Sequence, residues 1–211
     1  MTRLVLIRHG EAQVALDGIL AGEDHCRGLS ELGRRQAEAL RDRLTVTGEV
    51  KADVVLTSVM PRAVETAEIL VPAFGSLSVE QRCELCELHP GESDGLSWDD
   101  YRARYGDVDM LADPTVPVAP GGESLADFQA RVASALRAVA EEHAGRTVVV
   151  VCHGGIVATS FLTFFGLPVD RPMGAWVVVD NTSLTEWVLG ESGQWRLVRH
   201  NDAAHLGGLD A

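Results

Sequence analysis

The stretch Leu4-Val5-Leu6-Ile7-Arg8-His9-Gly10-Glu11 decides the fold class of this chain. Its four consecutive apolar residues are typical of a strand that is buried on both faces, and the run stops abruptly at an arginine and a histidine. A second apolar run, Thr147–Cys152, ends in the same way at His153-Gly154-Gly155. Two buried strands that each end in a histidine indicate an α/β sheet with a ligand crevice at the carboxyl ends of its strands.

Helical and extended patterns alternate along the rest of the chain. Ser30 is a candidate N-cap, Pro61 suits the first turn of a helix, and Ser124 with Asp127 predicts a capping box for a helix that runs to about His143. A further helix is expected near Trp98–Tyr105 and another over Ile156–Phe165. Further extended runs are Ala52–Leu56, a short strand within Leu77–Gly106, Ala175–Asp180, Ser183–Leu189 and Trp195–Val198.

This alternation predicts a single α/β domain over residues 1–211, in three layers, with a largely parallel central sheet flanked by helices. Antiparallel strands are expected near the C-terminus. The length of 211 residues is sufficient for a hydrophobic core without disulfide or metal support.

Composition and charge exclude several classes of protein. Apolar residues make up 46% of the chain and the net charge is −13, so we expect a globular protein that binds neither nucleic acid nor an anionic membrane surface. No apolar run approaches the roughly 20 residues of a membrane-spanning helix. Leu4–Ile7 is too short for the core of a secretion signal, and the expected location is therefore cytoplasmic.

Strict spacing rules exclude other familiar sites. Lys51 is the only lysine, so no phosphate-binding loop with its Gly-Lys pair is present. Cys83 and Cys86 form one Cys-x-x-Cys pair without a second pair, which disfavours a zinc site. We therefore expect no metal and no cofactor. Four other histidines are interpreted as surface residues, namely His25, His89, His143 and His200.

Arg8, His9, Arg62 and His153 remain as a distributed set of candidate site residues. Each of them is unremarkable alone, since an arginine in a first helical turn or a histidine after a strand is commonly structural. Together they supply what an anion site in an acidic protein requires. Guanidinium groups suit phosphate oxygens, and the glycines beside both histidines allow backbone N–H groups to approach.

These residues carry a resemblance to a known family. The segment Leu6–Glu11 is similar to the defining motif of the histidine phosphatase superfamily, whose fold is the phosphoglycerate mutase-like fold. The resemblance extends nearly from end to end, in seven separate stretches. The other six are Ser58-x-x-x-Arg62-Ala63-x-x-Thr66-Ala67, Leu85-Cys86-Glu87 with Gly91, Asp94 and Gly95, Gly121-Gly122-Glu123-Ser124, Val151–Gly155, Asn181-Thr182-Ser183 and Asn201-Asp202-x-Ala204-His205-Leu206.

The resemblance implies a role for each matching position. His9 would be the nucleophile that forms a phosphohistidine. Arg8, Arg62 and His153 would bind the phosphoryl group that is transferred, and Glu87 would protonate the leaving oxygen. Two guanidinium groups disfavour a charged imidazole and neutralise the phosphoryl oxygens, so these roles are physically consistent and imply no metal.

Some positions stay open. Three other carboxylates, Glu84, Glu92 and Asp94, are alternative proton donors, although the family pattern favours Glu87. Where many members have Thr or Ser after the first Glu and Asn three residues further on, this chain has Ala12 and Ala15. Both replaced groups are potential ligand contacts. Asn181 and His205 are expected to be structural.

The function predicted on this basis is a metal-independent phosphomonoesterase for a small phosphorylated metabolite. A phosphoglycerate mutase is the first alternative, but only about 25 residues separate Gly95 from Pro120, which is shorter than mutases usually carry there. A noncatalytic phospholigand-binding module is the second, and it would need neither a nucleophile nor a proton donor. The oligomeric state, including a homodimer, is left open, since Trp176 and Trp187 suit a core or an interface.

Overall fold

A six-stranded sheet with helices on both faces organises the chain in the computed structural model, which describes residues 1–168 and 175–209. Single turns of 3₁₀ helix occupy Val71–Phe74, Cys83–Leu85, Gly91–Ser93 and Ala204–Leu206. The strands and α-helices are β1 (Thr2–Arg8), α1 (Gln13–Leu16), α2 (Glu31–Thr47), β2 (Val54–Thr57), α3 (Pro61–Leu70), β3 (Val79–Gln81), α4 (Trp98–Tyr105), α5 (Leu125–Glu142), β4 (Thr147–Cys152), α6 (Gly154–Phe165), β5 (Leu184–Leu189) and β6 (Trp195–Asp202).

The strands follow the order β3-β2-β4-β1-β5-β6. The first four strands in this order pair in parallel, whereas β5 and β6 extend the sheet as antiparallel strands. This confirms the predicted α/β class with a largely parallel sheet and an antiparallel C-terminal part. Because β1 and β4 are adjacent and parallel, their carboxyl ends lie at the same edge, with Arg8 opposite Cys152.

Alternate residues of the central strands pack against different helices, which is what makes the fold three layers. Val5 and Ile7 of β1 pack with residues of α2 and α3, such as Leu40 and Ala67. The intervening Leu4 and Leu6 face α5 and α6 on the other side, where the core contains Phe128, Val132, Leu136, Ile156 and Val157. The period of two along a buried strand thus divides the core into two halves. In the described ranges, no helix is long and apolar enough to cross a membrane.

Predicted caps and element boundaries can be checked residue by residue. Ser30 caps α2 by accepting from the Gly33 N–H, and Ser124 with Asp127 forms the predicted capping box. Strand β4 covers the predicted residues, and α4 spans Trp98–Tyr105 as expected. These elements are confirmed because their signals are local.

Two predictions are wrong. Ala175–Asp180 is not a strand: the Val179 carbonyl accepts from Arg8, and the Asp180 N–H donates to the Asn201 side chain. The backbone of this run is therefore satisfied by side chains rather than by a neighbouring strand. His143 is not a surface residue, because the end of α5 packs onto the core and leaves it only 8% exposed.

Three arginines and three carboxylates form an ion-pair network between α2, β1 and the antiparallel strands. Arg43 makes two hydrogen bonds to Glu49 at 2.8 and 3.2 Å and two to Asp202 at 2.8 and 2.6 Å. Arg199 joins Glu49, Glu186 and Asp202, and Arg3 pairs with Glu186. We call this set the arginine–carboxylate network. Its bonds hold Asp202 ionised, and they lower the pKa of this carboxyl well below its usual range.

Candidate active site

The register between β1 and β4 brings two histidines together. His9 follows Arg8 at the end of β1, and His153 follows Cys152 at the end of β4. Their ring centroids lie 5.1 Å apart at an angle of 65°. Both rings are buried, at 7% and 0% exposed. The pair predicted from the sequence is therefore a direct result of parallel strand pairing.

His9 is held as a neutral ring in one tautomer. Its Nδ1 lies 2.6 Å from the Gly10 carbonyl oxygen, and because a carbonyl only accepts, Nδ1 carries the proton. Nε2 keeps its lone pair, and no hydrogen-bond partner is found for it among the residues that the structure describes. Burial, followed by the positive charges of Arg62 and Arg8, holds the pKa of His9 well below 6.5.

His153 contacts a residue to which the sequence analysis assigns no role. Its Nε2 lies 2.7 Å from the Ser58 hydroxyl oxygen, just after β2. Burial first, and then the charge of Arg62, lowers the pKa of His153 well below 6.5. Its Nδ1 is buried and has no hydrogen-bond partner in the described part of the chain. A nitrogen of this kind suggests a ligand atom.

The two arginines reach the histidines from different elements. Arg8 is the last residue of β1 and donates to the Val179 carbonyl oxygen, while its buried Nε has no partner among described residues. Arg62 lies in the first turn of α3, is 6% exposed, and donates to the Ala21 carbonyl at 3.1 Å. Neither guanidinium lies within 4.0 Å of a carboxylate in the ranges described. In addition to burial, both positive charges lower the pKa values of His9 and His153.

Glu87 approaches this group from the loop after the Cys83–Leu85 turn. One carboxylate oxygen accepts from the Gly155 N–H at 2.9 Å, at the start of α6. A Cβ on Gly155 would lie 2.2 Å from the other carboxylate oxygen, so a glycine is required for this contact. The charge of Glu87 also acts on Arg8.

The three alternative proton donors lie elsewhere. Glu84 and Glu92 are exposed, and Glu92 is 3.8 Å from Arg104. Asp94 accepts from the Gly22 N–H at 2.8 Å and lies 3.2 Å from a ring nitrogen of His25. Of the four carboxylates, Glu87 is the one that lines the cavity described below.

Backbone contacts fix the loop that carries His9. Asn181 donates through its side chain to the His9 carbonyl at 2.9 Å, and His205 contacts the Thr182 hydroxyl at 2.8 Å. Both contacts are made within the protein, in keeping with the structural role predicted for these residues. The Thr66 hydroxyl accepts from the Gly10 N–H at 3.1 Å and so ties α3 to the same loop. Ser58 and Thr66 belong to the second sequence motif, but their partners are distant in sequence and no local signal identifies them.

An apolar cavity of about 420 Å³ begins at Glu87 and Gly155. Its walls come mostly from the segment between Leu88 and Val118, which carries α4, and from α5. Trp176 also lines the cavity and is 42% exposed, whereas Trp187 is fully buried in the core. None of the described residues that line the cavity is cationic; they include Leu20, Leu88, Trp98, Tyr101, Val108, Met110, Val118, Leu125 and Phe128.

A match to a known protein family covers nearly the whole chain. Residues 4–203 match the model of the histidine phosphatase superfamily, branch 1. The chain belongs to this superfamily. The match includes both strand ends, the first turn of α3 and the loop that carries Glu87, so it covers every residue of the group described above.

Individual relatives include enzymes with different activities. A 2,3-bisphosphoglycerate-dependent phosphoglycerate mutase from Sinorhizobium fredii is 32% identical over 205 residues, which cover 89% of this chain and 96% of the relative. The structure of Bacillus stearothermophilus YhfR matches with a TM-score of 0.83 and 28% identity, over 98% of this chain and 100% of that one. The structure of a mycobacterial glucosyl-3-phosphoglycerate phosphatase in complex with VO3 matches with a TM-score of 0.78 and 32% identity. The match covers 95% of this chain and 98% of that one.

These findings establish the general class of enzyme to which the chain belongs. The chain is a histidine phosphatase-type enzyme of the phosphoglycerate mutase-like fold, and its relatives include phosphatases that act on small phosphorylated compounds.

Proposed function

We propose that this protein is a metal-independent phosphomonoesterase that works through a phosphohistidine on His9. One observation carries the proposal: a neutral imidazole with a free Nε2 lies beside a second imidazole and two arginines that have no carboxylate partner in the described ranges. The unpartnered Arg8 Nε and His153 Nδ1 add two buried groups suited to phosphoryl oxygens.

In the first step, Nε2 of His9 attacks phosphorus and the bond between phosphorus and the ester oxygen breaks. Glu87, as a carboxylic acid, gives its proton to that oxygen, so the alcohol leaves in its neutral form. Arg8 and Arg62 neutralise the charge on the equatorial phosphoryl oxygens. We assign the Ser58 hydroxyl, 2.7 Å from Nε2 of His153, as the donor of that hydrogen bond, because the proton of His153 then lies on Nδ1 and can be donated to a phosphoryl oxygen.

In the second step, water attacks the phosphorus of the phosphohistidine. Glu87, now a carboxylate, takes the proton of that water, and the bond between phosphorus and Nε2 breaks. Inorganic phosphate leaves and His9 returns to its neutral form. Because the hydrogen bond to Gly10 keeps the proton of the ring on Nδ1, the same nitrogen is ready for the next turnover.

The cavity supports a substrate whose leaving group has an apolar part. Its described lining is aliphatic and aromatic around Glu87, so a flat or branched apolar group would displace water there at little cost. A glycerate carboxylate or a second phosphate would lose its hydration in this cavity without a described cation to compensate. We therefore favour hydrolysis of an apolar phosphomonoester over interconversion of phosphoglycerates.

The test is hydrolysis of p-nitrophenyl phosphate in EDTA by the wild-type protein and by His9→Ala. We expect wild-type turnover, and a loss of at least about 10⁴-fold in His9→Ala, because no other group replaces the nucleophile. Wild-type protein that is mixed with substrate and then unfolded in a denaturant without acid should carry covalently bound phosphate. This phosphate should be stable to base and released by acid. Absence of turnover in the wild type would contradict the proposal and would favour the binding module or the mutase.

Separate experiments test the role of Glu87 and the mutase alternative. Glu87→Gln should slow alkyl phosphates far more than p-nitrophenyl phosphate, whose leaving group needs no proton. The same variant of Glu92, which is exposed and distant, is the matched control and should leave both rates unchanged. Faster conversion of 3- to 2-phosphoglycerate than release of phosphate would establish the mutase. A cytoplasmic location, a homodimer and the extent of the domain over 1–211 stay predictions.

A further inference from the structure

Two thiols and an imidazole meet outside the reacting group. Cys83 is the first residue of a 3₁₀ turn, Cys86 directly follows that turn, and His89 lies three residues further on. Their ligand atoms all lie within 4.8 Å of one another. The lack of a second Cys-x-x-Cys pair in the sequence disfavours a zinc site here. The structure adds a histidine as a third potential ligand.

The distances between these potential ligand atoms approach those of a tetrahedral zinc site. The two sulfur atoms are 3.9 Å apart, and the Cys83 sulfur is 3.9 Å from Nε2 of His89. Two thiolates bound to one zinc ion at about 2.3 Å and a tetrahedral angle would be about 3.8 Å apart, and a thiolate and an imidazole nitrogen about 3.6 Å. The two pairs that include Cys83 lie within about 0.3 Å of these values, whereas Cys86 and His89, which are no more than 4.8 Å apart, would have to approach each other by up to about 1 Å.

Surrounding residues hold the imidazole and the turn in place. His89 Nδ1 lies 3.4 Å from Glu123, so its Nε2 is the nitrogen directed at the thiols. Glu123 is itself fixed by two bonds of 2.7 Å from Arg131, which also donates to the carbonyls of Glu84 and Cys86 at 3.0 Å. A carboxylate behind a ligating histidine is the usual second layer of a zinc site.

We propose that Cys83, Cys86 and His89 bind one thiophilic divalent cation, with Zn²⁺ as the best fit, in a tetrahedral site. Cys83 is exposed, so a water molecule can take the fourth position. Two thiolates and an imidazole select zinc-like ions over Mg²⁺ or Ca²⁺, which prefer oxygen ligands. This metal takes no part in the reaction at His9.

The site also has a consequence for Glu87, and this part rests on the proposed function. Glu87 lies between Cys86 and His89, so a bound cation would fix the backbone on both sides of the proton donor. The ion would act as a clamp on the loop. Glu87 is not among its ligands, since its carboxylate contacts Gly155.

The test is titration of the reduced, chelator-free full-length protein with Co²⁺. We expect one equivalent to bind, with sulfur-to-cobalt absorption in the near ultraviolet and the intense visible bands of tetrahedral cobalt, both removed by one equivalent of Zn²⁺. Cys83→Ser and His89→Gln should lose these bands. Cys26→Ser removes a free cysteine outside the cluster and should keep them.

Thermal unfolding gives a second readout. Zn²⁺ at about 100 times its Kd should raise the Tm of the wild type by about 5 °C and leave that of Cys83→Ser unchanged. Absence of stoichiometric cobalt binding in the wild type, or unchanged binding in Cys83→Ser, would overturn the proposal. Turnover of p-nitrophenyl phosphate in the same samples separates failure of metal binding from failure of the proposed function, because neither Cys83 nor His89 touches the reacting group.

Discussion

Arginines occupy two contrasting environments in this protein. In the arginine–carboxylate network, Arg43 bonds to two carboxylates at once, and Arg3 and Arg199 are paired as well. At the candidate active site, Arg62 is buried and Arg8 is half-buried, and both donate to carbonyl oxygens. The same side chain therefore serves as a structural link at one place and as an unneutralised charge at the other.

The difference is informative because the chain carries 31 carboxylates against 18 basic residues. In such a sequence most arginines are within reach of an acid. Keeping Arg62 buried and Arg8 half-buried costs folding free energy, since no carboxylate of the described ranges lies within 4.0 Å of either guanidinium to offset its desolvation. Their unneutralised charge is what a phosphoryl group would find, and it also keeps His9 neutral.

The largest expected effect comes from removing a charge of the active site. Arg62→Gln should lower kcat/KM for p-nitrophenyl phosphate by about 10³-fold or more, as removal of a phosphoryl-binding arginine does elsewhere. The free energy of unfolding should change by less than about 1 kcal/mol, because no ion pair is lost. Steady-state kinetics and urea unfolding of the same preparation check both. A large loss of stability with normal kinetics would break the contrast.

Removal of a network arginine should give the opposite result. Arg43→Gln should lower the free energy of unfolding by about 1–3 kcal/mol, because Glu49 and Asp202 each lose their bonds to it, and leave kcat/KM unchanged. The pKa of Asp202 is lowered in the folded state, so its contribution is present above about pH 4 and is lost as the pH falls. The stability difference between wild type and variant should therefore shrink below pH 4 in urea unfolding.

The smallest effect concerns the pH profile of turnover. The acid limb of kcat/KM should lie below pH 6.5 in the wild type, since His9 stays neutral there. In Arg62→Gln, loss of one positive charge should raise the pKa of His9 and move this limb upward. Arg62→Lys keeps the charge and is the matched control, with an unmoved limb. Ionisation of the substrate is common to all three proteins, so the comparison is internal. Identical limbs in Arg62→Gln and the wild type would show that the charge of Arg62 does not set this pKa.

Local signals predicted most of the fold. Thr147–Cys152 reads as a buried strand because five of its six residues are apolar, and the caps at Ser30 and Ser124 depend only on neighbouring residues. Ala175–Asp180 has a similar apolar content but is bonded by the distant side chains of Arg8 and Asn201. No pattern within that run reports such partners.

Part of the candidate site, like most of the fold, could be predicted from the sequence. Arg8, His9 and His153 follow from strand ends, and parallel pairing alone brings the two histidines together. Glu87 could not be separated from its neighbouring carboxylates by the residues themselves, since the distinction depends on the approach of Gly155 across 68 positions. Ser58 was missed as the partner of His153 for the same reason, with 95 positions between them.

The separate origins of the reacting group and of the apolar cavity bear on how this enzyme can diversify. The two histidines are anchored in the central strands, where a shift of one residue would turn every buried side chain to the wrong face. The cavity wall is built largely from the connection between β3 and α5, together with Trp176. Glu87 lies in the same connection and belongs to both parts. Under the proposed function, substitutions of the other cavity-lining residues should change which alcohol is accepted while His9 and the phosphoryl-binding groups stay intact, and a laboratory selection for new substrates should begin with them.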